Sequence, residues 1–119
     1  MKLCITSKGK EAASEVDPRF GRAQYFIFVD TESGDLEAEE NPAVSAPGGA
    51  GVRAGQLVSE RGTETVLTGN VGPNAFQVLN AAGIRVITGV GGTVEKAKND
   101  FINGVYDGQE TSGPTVKGK

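Results

Sequence analysis

The 119-residue sequence has no histidine, no tryptophan, one cysteine and one methionine. Without histidine the chain lacks the usual general base near neutral pH and the commonest metal ligand, which excludes Ser-His-Asp and Cys-His mechanisms. A single cysteine cannot close an internal disulfide, complete a zinc-finger site or build a four-thiolate iron–sulfur site. Positive charge is also short: 12 Lys and Arg stand against 15 Asp and Glu, a net charge of −3. A nucleic-acid face needs clustered basic residues, and no basic stripe appears. No stretch approaches the roughly 18 apolar residues of a membrane span. The apolar run Leu3-Cys4-Ile5 stops at Thr6-Ser7-Lys8, short of the roughly 7–15 residues of a signal-peptide core. The expectation is a cytoplasmic protein in a reducing compartment, with neither nucleic acid nor membrane as partner.

What is abundant is glycine, 18 residues, and its placement punctuates a readable pattern. Residues 2–6 read as a short strand. Tyr25-Phe26-Ile27-Phe28-Val29 is aromatic and β-branched without polar alternation, so both faces are expected to be covered and the strand to lie near the sheet centre. Thr31-Glu32-Ser33-Gly34-Asp35 is a turn of hairpin length. Leu36 to Glu40 returns as an edge strand whose Glu37, Glu39 and Glu40 read as a solvated face. From Asn41 to Gly51 the chain is irregular.

After it, helix and strand signals alternate. Residues 52–61 read as a helix closed by Gly62, and Val66-Leu67 as a strand. Pro73 opens a helix that ends at Gly83, and Ile84 to Ile87 form the next strand. Thr93 caps a last helix ending at Gly104. Val66-Leu67-Thr68-Gly69 is echoed by Val86-Ile87-Thr88-Gly89. Each time a strand runs into a Gly-rich turn and a helix start, the order of parallel βαβ units. Residues 1–106 are therefore expected to form one domain, and 107–119, nearly devoid of apolar residues, a solvated tail.

In an open α/β sheet, ligands bind outside the carboxyl ends of the strands. Gly-bearing segments should meet there with Thr6-Ser7: Gly48-Gly49-Ala50-Gly51, Gly69-Asn70, and Gly89 to Thr93 with Gly91 and Gly92. Their N–H groups at helix starts suit an anion, although tight turns alone would also explain the glycines. Neither a P-loop nor a Rossmann fingerprint is present. Two readings stand for Cys4: a small core residue, or a soft thiolate ligand near the rim. Arg19 and Arg22, flanking Phe20-Gly21, present planar donors for an anion. A turn begun by Asp17-Pro18, with one Arg paired to Asp17, is the other reading. No nucleophile–base pair can be assembled, so an enzyme is not expected.

Several motifs together carry a resemblance. Asp17-Pro18-Arg19-Phe20-Gly21-Arg22-Ala23, Gly48-Gly49-Ala50-Gly51 and Thr68-Gly69-Asn70-Val71-Gly72-Pro73-Asn74-Ala75-Phe76, then Gly91-Gly92-Thr93-Val94-Glu95-Lys96-Ala97, are similar to the dinitrogenase iron-molybdenum cofactor-binding family. That family includes NifX, NafY and the C-terminal region of NifB. The resemblance implies a ribonuclease H-like α/β fold, a three-layer arrangement with a five-stranded mixed sheet flanked by helices. It further implies a non-catalytic protein that binds, stores or hands over iron-molybdenum cofactor or a related iron–sulfur cluster. The implied partners are cluster donors and acceptors, iron–sulfur carrier ATPases among them, for a monomer or weak dimer. The candidate contacts are Cys4, also the one candidate metal ligand, with Arg19, Arg22, Gly48, Gly49, Gly51, Gly69, Asn70, Gly91 and Gly92. The alternative expectation is a metal-free module that binds a partner protein or a small organic anion.

Overall fold

The computed structural model describes residues 1–108. Elements run in the order β1 (Lys2–Ser7), β2 (Tyr25–Asp30), β3 (Leu36–Glu40), α1 (Ala50–Glu60), β4 (Thr65–Leu67), α2 (Pro73–Ala81), β5 (Arg85–Ile87) and α3 (Val94–Ile102). They build the expected mixed five-stranded sheet, in the order β3-β2-β1-β4-β5. β2 runs antiparallel to β1 and β3, whereas β1, β4 and β5 are parallel. The sheet centre is therefore β1, and β2 lies one place out. The reason is covalent: a hairpin joins β2 to β3, and β4 reaches β1 only by a helical crossover.

Both faces of the central strands are covered, which explains their unbroken apolar runs. On one face Cys4, Phe26, Phe28, Val66 and Val86 pack beneath α1 and α2, with Phe20 closing the layer. On the other, Leu3, Ile5, Ile27, Leu67 and Ile87 pack beneath α3, where Val94 and Ala97 face inward. Phe20 and Phe26 meet as a tilted pair with ring centroids 5.7 Å apart, a geometry that adds to area burial. The helices α1 and α2 cross closely. A Cβ on Gly55 would stand 2.9 Å from Val78 Cγ1, so the crossing depends on a missing side chain.

Helix α1 begins at Ala50, two residues before the sequence signal, because Gly49 takes a left-handed conformation and serves as N-cap without a side chain. Thr93 caps α3 as expected, accepting from the Lys96 N–H at 3.1 Å. Gly62, Gly83 and Gly104 all adopt positive φ beyond the helix ends. The edge strand β3 is largely exposed. Glu39, however, is not merely solvated: it takes a two-pronged ion pair from Arg61, at 2.8 and 2.6 Å, which ties the sheet edge to the end of α1. Among the described residues no helix is long and apolar enough to cross a membrane. Of the solvated tail expected over 107–119, Asp107 and Gly108 are exposed, and the rest, 109–119, lies outside the described residues.

Candidate functional site

Because β1, β4 and β5 are parallel, the segments after them and the helix starts all emerge at one edge. Thr6, near the end of β1, and Thr68, just past β4, are fully buried, and their hydroxyls meet with the two Oγ1 atoms 2.8 Å apart. The Thr6 hydroxyl also donates to the Asp17 carbonyl at 2.7 Å, and the Asp17 N–H donates back to the Thr6 carbonyl at 3.0 Å. The strand ends thus fix the start of the Arg-bearing loop.

Asp17 organises that loop. Its buried carboxylate accepts from the Arg19 N–H at 3.1 Å and the Gln24 N–H at 3.3 Å, and the Arg19 Nε stands 3.6 Å away. The turn expected at Asp17 is therefore present with Arg19 beside its carboxylate, and the Arg19 side chain stays mostly exposed. The loop is then zipped to the segment after β4. The Phe20 N–H donates to the Asn70 carbonyl at 3.0 Å, and the Asn70 N–H donates to the Pro18 carbonyl. Glycine is required at position 69, where a Cβ would meet the Pro18 backbone at 2.7 Å.

The result is a two-lobed cleft. One lobe of about 400 Å³ is lined by Arg19, Phe20, Gly21, Arg22, Asn70, Val71 and Gly72. A second of about 260 Å³ shares Gly21, Arg22 and Gly72 and extends along the starts of α1 and α2, past Ala50, Gly51, Pro73, Asn74 and Ala75. Neither helix has a side-chain cap, so both present first-turn N–H groups and the positive end of their dipoles. The described lining residues include two guanidinium groups and no carboxylate. An acidic protein thus carries a locally cationic cleft.

The structure brings Arg19, Arg22, Gly51 and Asn70 together, with Gly69 beneath them and Gly48 and Gly49 leading into α1. It does not bring Gly91 and Gly92 there. At the α3 start the N–H groups of Val94 and Glu95 donate to the carbonyls of Ser14 and Ala12, and the Gly92 carbonyl accepts from the Val16 N–H. Segment 12–16 thus seals that helix start. Cys4 is likewise absent from the cleft. It is fully buried in the layer beneath α1 and α2, and burial, with the Glu39 charge adding to it, pushes its thiol far above the usual range. The expected thiolate ligand at the rim is not what the geometry provides, because the sulfur is sealed in the core layer and is not among the residues that line the cleft.

Gly21, Gly72, Asn74 and the apolar floor of Phe20 and Val71 line the cleft without being distinguished as contacts by the sequence. All lie inside the quoted motifs, and that is the signal by which they could be found. Asn41, whose buried amide donates to the carbonyls of Gly21 and Ala23 at 3.1 and 2.9 Å, carries no such signal. As for chemistry, no group of three or more His, Cys, Asp or Glu side chains that could hold a metal ion occurs among the described residues. The donor set does not fit a bare metal ion. It fits a preformed anion that brings its own acceptors.

The chain is similar to several known proteins. A protein of Methanocaldococcus jannaschii, MJ0580, is 28% identical over 94 residues, covering 76% of this chain and 80% of that one. The apo form of the orange protein from Desulfovibrio gigas is 38% identical, with a TM-score of 0.89 over 97% of this chain and 96% of that one. The solution structure of a Thermotoga protein, described as a candidate NifB protein of the DUF35 family, is 39% identical, with a TM-score of 0.77 over 98% of both chains. The family profile described as dinitrogenase iron-molybdenum cofactor matches residues 1–104, and the chain belongs to that family.

Proposed function

We propose that this protein binds and carries iron-molybdenum cofactor, or a related anionic iron–sulfur cluster precursor, in the two-lobed cleft, without catalysing a reaction. The observation that carries this reading is the pairing of Arg19 and Arg22 with two uncapped helix starts around a cleft whose described lining has no metal-ligating side chains. Arg19 and Arg22 would offset the cluster's charge. Asn70 and the backbone N–H groups near Gly51 and Gly72 would donate to its sulfides or carboxylate oxygens, and Phe20 and Val71 would form an apolar floor. A cluster that already holds its own sulfides needs few protein ligands. Holding it by charge and hydrogen bonds leaves no metal–protein bond to break at release, which suits a carrier between donor and acceptor proteins. Carrier ATPases of iron–sulfur assembly belong among those partners on this reading, in a cytoplasmic setting.

The test is anaerobic titration of the protein with isolated iron-molybdenum cofactor and, separately, with a [4Fe–4S] donor, monitored by visible absorption and native mass. Uptake by wild type is expected, weakened by Arg19→Gln and by raised salt, since charge attraction at a partly exposed site is screened. No uptake of either cluster would overturn the reading. Binding of a small tricarboxylate alone would favour the metal-free organic-anion module instead.

A further inference from the structure

Arg22 is held from two sides by one segment. Its Nη1 donates to the carbonyls of Val44 at 3.2 Å and Ala46 at 2.6 Å. Asn41, at the start of the same segment, is 1% exposed and donates through Nδ2 to the carbonyls of Gly21 and Ala23, the two neighbours of Arg22. The Asn41 Oδ1 accepts from the Ala43 N–H at 2.9 Å, and the Asn41 N–H donates to the Gln24 carbonyl at 3.1 Å. The backbone on both sides of Arg22 and one end of its side chain are thus gripped by residues 41–46.

A guanidinium has five N–H donors in a fixed plane. The two on Nη1 are spent on Val44 and Ala46, and those on Nε and Nη2 make no hydrogen bond within the described residues. Arg22 lines both lobes of the cleft. We propose that segment 41–46 is a clamp that positions Arg22 toward the bound anion, so that the order of the clamp and the affinity of the cleft are linked. The proposal rests on the anion-carrier reading of that cleft. A planar, doubly anchored guanidinium can hold clamp and ligand at once, whereas the point charge of a lysine cannot reproduce that geometry. Linkage is reciprocal: an anion that fixes Arg22 must also steady the clamp. Segment 41–46 runs on through Pro47 and Gly48 to the Gly49 cap of α1, so a steadier clamp also steadies one of the helix starts in the cleft.

The experiment compares wild type, Arg22→Lys, Asn41→Ala and Pro47→Gly, measuring affinity for isolated iron-molybdenum cofactor and amide hydrogen exchange with and without it. The Val44 and Ala46 N–H groups, bonded to the carbonyls of Asn41 and Ala43, are the reporters. Cofactor should slow their exchange in wild type. Arg22→Lys, which keeps the charge, should bind about tenfold or more weakly, the range for losing a hydrogen bond to a charged group, and should lose the slowing. Pro47→Gly leaves every named hydrogen bond in place and only loosens the chain, so it keeps the test open if Asn41→Ala does not fold. It should weaken binding by about two- to fivefold. Wild-type affinity in Arg22→Lys, or unchanged exchange at Val44 and Ala46 on binding, would overturn the clamp while leaving the carrier reading intact. If wild type takes up no cofactor, the carrier reading falls and the linkage falls with it.

Discussion

Asn70 is joined to Pro18 twice: its backbone N–H donates to the Pro18 carbonyl at 2.6 Å, and its side-chain Nδ2 donates to the same oxygen at 3.2 Å. The pair stitches the segment after β4 to the arginine loop, and Gly69 makes the approach possible. A Cβ there would meet Pro18 backbone atoms at 2.7 and 2.8 Å, where no side chain can swing aside. We expect Gly69→Ala to cost about 1–3 kcal/mol of stability and to weaken anion uptake, because the Asn70–Pro18 bonds must lengthen. Urea denaturation and the cofactor titration check the two effects.

How far such relationships are legible beforehand depends on their range along the chain. The β3 strand at Leu36–Glu40 and the Thr93 cap are both written locally, in alternation and in a capping side chain. The α1 start is legible only to within two residues, because a glycine N-cap leaves no side chain to recognise. Gly91 and Gly92 lie at the correct sheet edge, yet residues 12–16, distant in sequence, consume the N–H groups of that helix start. Cys4 looks close to the rim only if β1 stops at Thr6. Pairing of Ser7 with Tyr25 extends the strand and leaves the thiol inside. The cleft's arginines and Asn70 are legible as motif residues, whereas Asn41 is not, since the carbonyls it holds at Gly21 and Ala23 lie 20 and 18 residues upstream.

The contact between Thr6 and Thr68 predicts a measurable coupling. Both hydroxyls are buried and share a bond, and Thr6 also serves the Asp17 carbonyl. Thr6→Val keeps the shape but strips a buried hydrogen-bond partner, which costs about 1–3 kcal/mol. Thr68→Val should cost less, because Thr6 keeps its bond to Asp17. The double variant should lose less than the sum, since their shared bond can be lost only once. Denaturant midpoints for the four proteins give the coupling, and strict additivity would contradict it.

The α1–α2 crossing gives a substitution in which two effects oppose. Gly55→Ala gains about 1 kcal/mol of helix propensity. Against this, its Cβ meets the stiff Val78 side chain at 2.9 Å, and overpacking of a core contact costs about 1–3 kcal/mol. We expect a net loss, and Gly55→Ala combined with Val78→Ala should recover part of it. A stability gain in the single variant would show that the helices can part freely, and thermal denaturation decides between the outcomes.

Cys4 sets an alkaline limit. Its thiol is held protonated in the folded protein by burial first and the Glu39 charge second, whereas in the unfolded chain it ionises near its ordinary value of about 8.5. Above that pH the unfolded state binds fewer protons than the folded state, so stability falls as pH rises. The contribution is complete below the unfolded value and is lost progressively above it. Wild type should therefore lose more stability between about pH 8 and about pH 10, an interval that brackets the unfolded thiol's value, than Cys4→Ala does, even though Cys4→Ala starts lower for want of the core sulfur. Paired urea titrations at the two ends of that interval measure the difference. The same variant should take up cofactor with wild-type affinity, because the sulfur lies in the layer beneath α1 and α2 rather than on the wall of the cleft.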